Sequence, residues 1–128
     1  MRSLLLMYNI DEKKLSKLRV LCMRLGIKMR QVEKDRYALP IGQLTADTVP
    51  EPVESTVEAF DDEMLVMCGF NNAMVDALLK GLRESRIPVI PLKAVLTEEN
   101  SKWDSFKLHT ELTAEHEALK TGRTAHQK

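Results

Sequence analysis

The sequence contains few cysteine, glycine and aromatic residues, by which several classes of protein are recognised. Of its 128 residues two are cysteines and five are glycines, and aromatic residues make up 5%. Two cysteines outside a CxxC pair are too few for a disulfide scaffold, and no two glycines have the spacing of a phosphate-binding loop. The shortage of aromatic residues, with no RNP1 pattern, removes the stacking platform of sheet-based RNA binders.

Long apolar runs are also lacking. The run Leu4–Tyr8 is far short of the ~18–20 residues that a membrane helix needs, and it is too brief for a signal-peptide core. We therefore expect a cytoplasmic protein with no membrane partner. A length of 128 residues, 44% of them hydrophobic and 30% charged, is typical of one globular domain.

Charge is distributed unevenly, although the formal net charge is zero. Residues 1–36 carry ten Lys or Arg and four Asp or Glu, whereas residues 37–79 carry eight acids and no Lys or Arg. Such a distribution creates local fields that can attract charged partners even when the whole molecule is neutral.

The apolar pattern repeats at a distance of 60 residues. Shifted by this distance, Leu4–Tyr8 falls on Met64–Cys68, and the apolar positions after each run also coincide. This predicts an internal duplication of βαβ units over about 3–36 and 63–96, within one domain that spans 1–120. The polar tail 121–128 lies outside that domain.

Both units predict a strand, a helix and a second strand. Asp11 or Asn9 caps the first helix and Gly26 ends it, while Asn71 or Asn72 caps the second. The predicted strands are Leu4–Tyr8, Ile27–Val32, Met64–Cys68 and Val89–Leu92. The first and third are apolar throughout and are predicted to be central neighbours, whereas Pro91 places the fourth at a sheet edge.

This element order favours an α+β, ferredoxin-like fold made of duplicated βαβ units with a C-terminal helix; the alternative is a small parallel α/β sheet. A capping box of Ser101 and Asp104 predicts a helix over Trp103–Lys120. Because the central strands are apolar on both faces, this helix or another subunit must cover the second face, so a homodimer is possible. Residues 37–44 predict a short packed helical turn, and Thr45–Glu58 predicts a mobile acidic loop.

No catalytic constellation stands out, and we expect no cofactor and no metal. His109 and His116 are seven residues apart, too far to share one ion. The most distinctive segment is the strand-to-helix junction from Lys93 to Trp103, where Trp103 is favoured as a core anchor. The candidate ligand-binding residues are Cys68, Lys93, Thr97, Asn100 and Trp103.

The second half of the sequence resembles a known family. The residues that carry the resemblance are Met64-Leu-Val-Met-Cys-Gly-Phe70, Ile87-Pro88, Leu92-Lys-Ala-Val-Leu-Thr97, Asn100, Trp103 and Glu115-His116. This pattern, over about 60–117, resembles the bacterial family known as domain of unknown function 3783. The resemblance implies a bacterial cytoplasmic protein and brings no activity, ligand or catalytic residue.

Three functional hypotheses follow. The leading one is a non-enzymatic binding or regulatory domain whose small-molecule ligand is unknown. The second is an enzyme that acts on a small substrate through Cys68 or the Lys93–Trp103 junction. The third is a weak nucleic-acid binder that uses the basic N-terminal helix, although a solvated lysine-rich face explains those charges better.

Overall fold

The structure is a computed structural model that describes residues 3–120. Short 3-10 turns at Lys34–Arg36 and Asn100–Lys102 precede two of the helices. The described elements are, in chain order, β1 (Leu4–Tyr8), α1 (Glu12–Leu25), β2 (Lys28–Gln31), α2 (Ile41–Leu44), β3 (Met64–Cys68), α3 (Asn72–Glu84), β4 (Leu92–Val95) and α4 (Ser105–Lys120).

The sheet is open and mixed, with the order β2-β1-β3-β4 among the described residues. β1 pairs with β2 in parallel, β3 pairs with β4 in parallel, and the two units meet through an antiparallel β1/β3 pair. The ferredoxin-like order is not found, because that fold separates the two strands of each βαβ unit by another strand. The wholly parallel alternative is not found either. Element order along the chain is the same in all these folds, so it does not decide which strands become neighbours.

The central strands β1 and β3 are neighbours, as the sequence predicted. Leu4 lies opposite Cys68, and Leu6 lies opposite Val66 at the middle of the pair. Every residue of both strands is buried. Two strands with no exposed face require cover on both sides of the sheet.

The outer strands differ from their predicted bounds. β2 is shorter than predicted, at Lys28–Gln31, and β4 begins at Leu92, where the predicted strand Val89–Leu92 ends. Pro88 and Pro91 cause the second shift, since neither has an N–H to give to a strand ladder. Both outer strands do lie at the sheet edges.

The capping residues of α1 and α3 follow the sequence signals. The Asp11 side chain accepts a hydrogen bond from the backbone N–H of Lys13, and Gly26 ends α1 in the left-handed conformation. The Asn71 side chain accepts a hydrogen bond from the backbone N–H of Met74. Because these caps satisfy backbone groups that a helix leaves free, they fix where each helix starts and stops.

The two faces of the sheet carry separate cores. α1 and α3 pack on one face, against Leu5, Met7, Leu65 and Met67 of the central strands. On the other face, α2, α4 and the residues Tyr37 and Leu39 before α2 cover Leu4, Leu6, Tyr8, Met64, Val66 and Cys68. The short packed helical turn predicted over 37–44 is confirmed as α2, and the chain itself covers the second face.

The start of α4 is a correction to the predicted capping box. Asp104, not Ser101, caps this helix, since its carboxylate accepts a hydrogen bond of 2.9 Å from the backbone N–H of Lys107. Ser101 belongs to the preceding 3-10 turn, where its hydroxyl donates to the Glu98 carbonyl. The side-chain hydroxyl groups of Tyr8 and Ser105 then join α4 to β1 through a buried hydrogen bond of 2.7 Å. No helix within residues 3–120 is long and apolar enough to cross a membrane.

In the monomeric protein, at concentrations too low for association, we expect the amides of Thr45–Glu58 to exchange with solvent orders of magnitude faster than those of β3. This stretch has no strand or helix, and residues 51–58 are exposed, so few contacts oppose local opening. Hydrogen exchange followed by mass spectrometry measures the difference. Protection equal to that of α1 or α3 would contradict the prediction of a mobile loop.

Trp103→Ala is expected to destabilise the protein by about 2–4 kcal/mol. The Trp103 side chain is half-buried against the core under α4, so the loss falls at or below the ~3–5 kcal/mol typical of a fully buried aromatic side chain. Leu119→Ala, in α4 and 65% exposed, is the control and should change stability by less than ~0.5 kcal/mol. Chemical denaturation decides between a core anchor and a surface residue.

Candidate functional site

Cys68 lies inside the core and not in a site. Its side chain is fully buried on the sheet face that α4 covers. Burial raises the pKa of this thiol to about 12, and the nearby Arg30 charge opposes that rise only in part. The thiol is therefore protonated at neutral pH and shielded from solvent, which removes the conditions for a nucleophile. Cys22 is likewise buried, and burial raises its pKa to about 11.

Thr97 and Asn100 are used to close a turn. The backbone N–H of Thr97 donates to the Asn100 side-chain oxygen at 2.7 Å, and the backbone N–H of Asn100 donates to the Thr97 hydroxyl at 3.0 Å. The Asn100 amide nitrogen also donates to the Val95 carbonyl. These reciprocal bonds fix the chain between β4 and the 3-10 turn.

Trp103 packs as part of the second core. Its ring contacts the buried residues below α4, and the Lys107 ammonium lies 4.8 Å from the ring centroid. The Trp103 carbonyl accepts a hydrogen bond of 2.8 Å from the backbone N–H of Ile41, which ties the junction to α2. This geometry favours the core-anchor interpretation.

Lys93 stands apart from the other candidates. It pairs with Leu65 in the sheet register, on the face that α1 and α3 cover. Its ammonium donates to the Ile90 carbonyl, and burial lowers its pKa below the usual value near 10.5. The five predicted residues thus lie in different places, and the structure does not bring them together in one site.

A cavity of about 260 Å³ lies beside Lys93, between α3 and the chain that leads into β4. Its walls carry two cationic side chains, Arg83 and Lys93. The rest of the lining is apolar and comprises Leu79, Leu82, Ile87, Pro88, Val89 and Ile90.

The longer connection after α3 explains where this cavity comes from. In the sheet, Lys28 lies beside Leu4 and follows it by 24 positions in the sequence. Leu92 lies beside Met64 and follows it by 28 positions. The second unit therefore contains four more residues before its outer strand. The segment 88–91 forms no strand and lines the gap between α3 and β4.

Neither cation of the cavity is neutralised within residues 3–120. No carboxylate forms an ion pair with Arg83 or Lys93 there, and Arg83 makes no side-chain hydrogen bond. The nearby Lys14 is instead paired with Glu63 at 2.5 Å. Burial removes water from the half-buried Lys93 ammonium, and no opposite charge compensates this loss of hydration. An anion bound at this position would provide that charge.

A second groove, of about 380 Å³, lies in the corresponding place beside β2. Ile27 lines it where Ile87 lines the first cavity, and Met23 takes the place of Arg83. It is also lined by Met7, Arg19, Met29 and Gln31. The two edges of the sheet thus carry related grooves with different chemistry, one with a second cation and the other rich in methionine.

Arg83 was not among the residues predicted for a site. The signal was present, because Arg83 lies four residues after Leu79 on α3, in the last turn before the loop. The stacking of His109 on Phe60, with ring centroids 3.9 Å apart, and the 2.8 Å contact of His109 with Asp62 were not predicted either. Among the described residues, no group of three His, Cys, Asp or Glu side chains is placed to hold a metal ion.

Comparison with known proteins identifies one family. Residues 63–119, which run from the start of β3 almost to the end of α4, match the model of a family described as a domain of unknown function (DUF3783). No curated protein and no solved structure matches the chain significantly. These findings identify no catalytic or binding function. The resemblance of this segment, predicted from its sequence, is confirmed by the match of residues 63–119 to the model of DUF3783, a domain of unknown function.

Proposed function

We propose that this protein is a non-enzymatic binding domain, and that the cavity beside Lys93 takes up a small apolar carboxylate. The observation that carries the proposal is the pair of cations, Arg83 and Lys93, which line an otherwise apolar cavity without an acidic partner in the described chain. A carboxylate accepts hydrogen bonds from both kinds of donor, and an apolar body fits the remaining walls.

The size of the cavity limits the ligand. A volume of about 260 Å³ is slightly below the ~300–1,000 Å³ of typical sites for drug-sized ligands. The expected ligand is therefore an organic acid with a short branched or aromatic body. Nucleotides and long peptides are too large for this cavity.

Burial of the candidate thiol supports binding over catalysis. The enzymatic alternative relied on Cys68 or on the junction from Lys93 to Trp103. Cys68 lies on the opposite sheet face from Lys93, and burial raises its pKa to about 12. The side chains of Thr97 and Asn100 hydrogen-bond the local backbone, which gives them a structural role in the turn.

The proposal includes an internal duplication of the βαβ unit. Equivalent features 60 positions apart support it: α1 starts at Glu12 and α3 at Asn72, and Gly26 and Arg86 both have positive φ angles after their helices. Asn9 and Gly69 also both have positive φ angles. According to this hypothesis, both edge grooves evolved from the groove of one ancestral unit. The cavity beside Lys93 later gained Arg83, Lys93 and the four additional residues before β4.

Lys93→Met and Arg83→Gln test the ligand site. Each variant should bind short carboxylates at least about tenfold more weakly, because a hydrogen bond to a charged group contributes about 1.5–3 kcal/mol. Titration calorimetry or NMR with isovalerate, isocaproate and phenylacetate measures the affinities, and isocaproamide tests whether charge is required. Lys80→Met, an exposed lysine on α3 outside the cavity, is the matched control.

The variant Lys93→Met also tests a prediction about stability. Burial lowers the pKa of Lys93 in the folded state, so between that lowered pKa and the usual value near 10.5 the unfolded chain binds more protons than the folded one. Stability should therefore rise with pH through this window, and Lys93→Met should remove the rise and melt at a higher temperature at neutral pH. A variant that loses stability and binds isocaproate as tightly as wild type would contradict the proposal.

A further inference from the structure

The outer edge of β2 is open to another strand. The backbone N–H groups of Lys28 and Val32 donate inward, to the carbonyls of Ser3 and Met7. In a strand the backbone groups alternate in direction, so those of Met29 and Gln31 point away from the sheet. Such an edge is a template for pairing unless something covers it.

Apolar side chains lie beside this edge. The groove of about 380 Å³ between α1 and β2 contains Met23 and Met29, and Met23 is 79% exposed. Val20, on the same helix, is 62% exposed. Methionine side chains adapt to the shape of a partner, which suits them to a docking surface.

Unpaired positive charge surrounds the groove. Arg19, Arg24 and Lys28 are exposed, and none of them forms an ion pair with the part of the chain that the structure describes. A second copy of β2 would bring Lys28 and Arg30 toward their own like charges, so direct pairing of two β2 strands is disfavoured. An acidic strand fits this edge better.

The chain itself carries an acidic segment with the required chemistry. The sequence Val53-Glu-Ser-Thr-Val-Glu58 alternates, with Val53, Ser55 and Val57 on one side of an extended chain. It belongs to no strand or helix, and Val53 and Val57 are 50% and 55% exposed. Val, Thr and the alternation favour a strand, and Glu54 and Glu58 supply negative charge.

The chain that leads into residues 53–58 lies next to the β2 edge. The Arg30 guanidinium donates to the Ala46 carbonyl at 2.7 Å, and the Arg36 guanidinium donates to the Pro50 carbonyl at 3.1 Å. From Pro50, three to eight extended residues reach roughly 10–28 Å, which is enough to cross to a second molecule placed at this edge.

We propose that two copies of the chain form a symmetric dimer in which residues 53–58 of each copy add as a strand to the β2 edge of the other. The valines would enter the methionine-lined groove. Glu54 and Glu58, on the other side of the strand, would lie on the sheet face that carries Lys28 and Arg30. The contact is reciprocal, which closes the assembly at two copies. This inference does not depend on the carboxylate cavity at the other edge of the sheet.

A charge exchange between two variants tests the dimer. Variant one carries Glu54→Lys and Glu58→Lys, and variant two carries Lys28→Glu. Alone, each should be monomeric, because like charges then meet at both contacts; mixed in equal amounts, they should form a heterodimer with both contacts restored. Sedimentation velocity or light scattering measures the masses. Lys13→Glu with Lys102→Glu, two lysines outside the groove, is the control and should dimerise as wild type does.

Cysteine cross-linking gives an independent result that does not require charge reversal. Met23→Cys and Val57→Cys replace exposed side chains, and the natural cysteines are buried. A mixture of the two single variants should form a disulfide between chains under mild oxidation. A wild-type protein that stays monomeric at millimolar concentration, or charge-reversed variants that dimerise alone as well as together, would overturn the proposal.

Discussion

The antiparallel pairing of β1 with β3 is the interaction on which the rest of the structure depends. All residues of both strands are buried, and Leu6 and Val66 lie opposite each other at the centre of the pair. A strand pair without a polar face is stable only if both faces are removed from water. α1 and α3 cover one face. The other receives α2, α4 and the aromatic side chains around Tyr37.

Polar groups within the second core give it a defined arrangement. The Tyr8 hydroxyl bonds the Ser105 hydroxyl, and this buried contact sets α4 against β1. Burial raises the pKa of Tyr8, so its phenol stays neutral as donor and acceptor. Phe60 stacks on Tyr37 on one side and on His109 on the other, with centroid distances of 4.6 and 3.9 Å. The acidic segment is thus held where it enters β3, and Arg36 holds it near its start.

The two βαβ units keep the same core and differ at their outer edges. The first unit turns directly from α1 into a basic edge strand beside a methionine-lined groove. The second has four more residues before its outer strand, including two prolines, and forms a cavity with Arg83 and Lys93. Close packing restricts the residues that fit in the core, whereas edge positions tolerate different side chains. Both proposed binding surfaces lie at these edges.

The sequence by itself determined the elements that local chemistry controls. The apolar runs identified β1 and β3 as the central strands, and Asp11, Gly26 and Asn71 marked helix ends through hydrogen bonds to nearby backbone groups. It also predicted the family of residues 63–119 and the need for cover on the second face. Only the tertiary structure decided the order of the strands, because the same crossover helix can place a strand beside its predecessor or one position further away. It also separated Cys68 from Lys93, which lie on opposite faces, and brought Arg83 to Lys93 across a loop, since proximity between distant residues is set by packing and not by spacing along the chain.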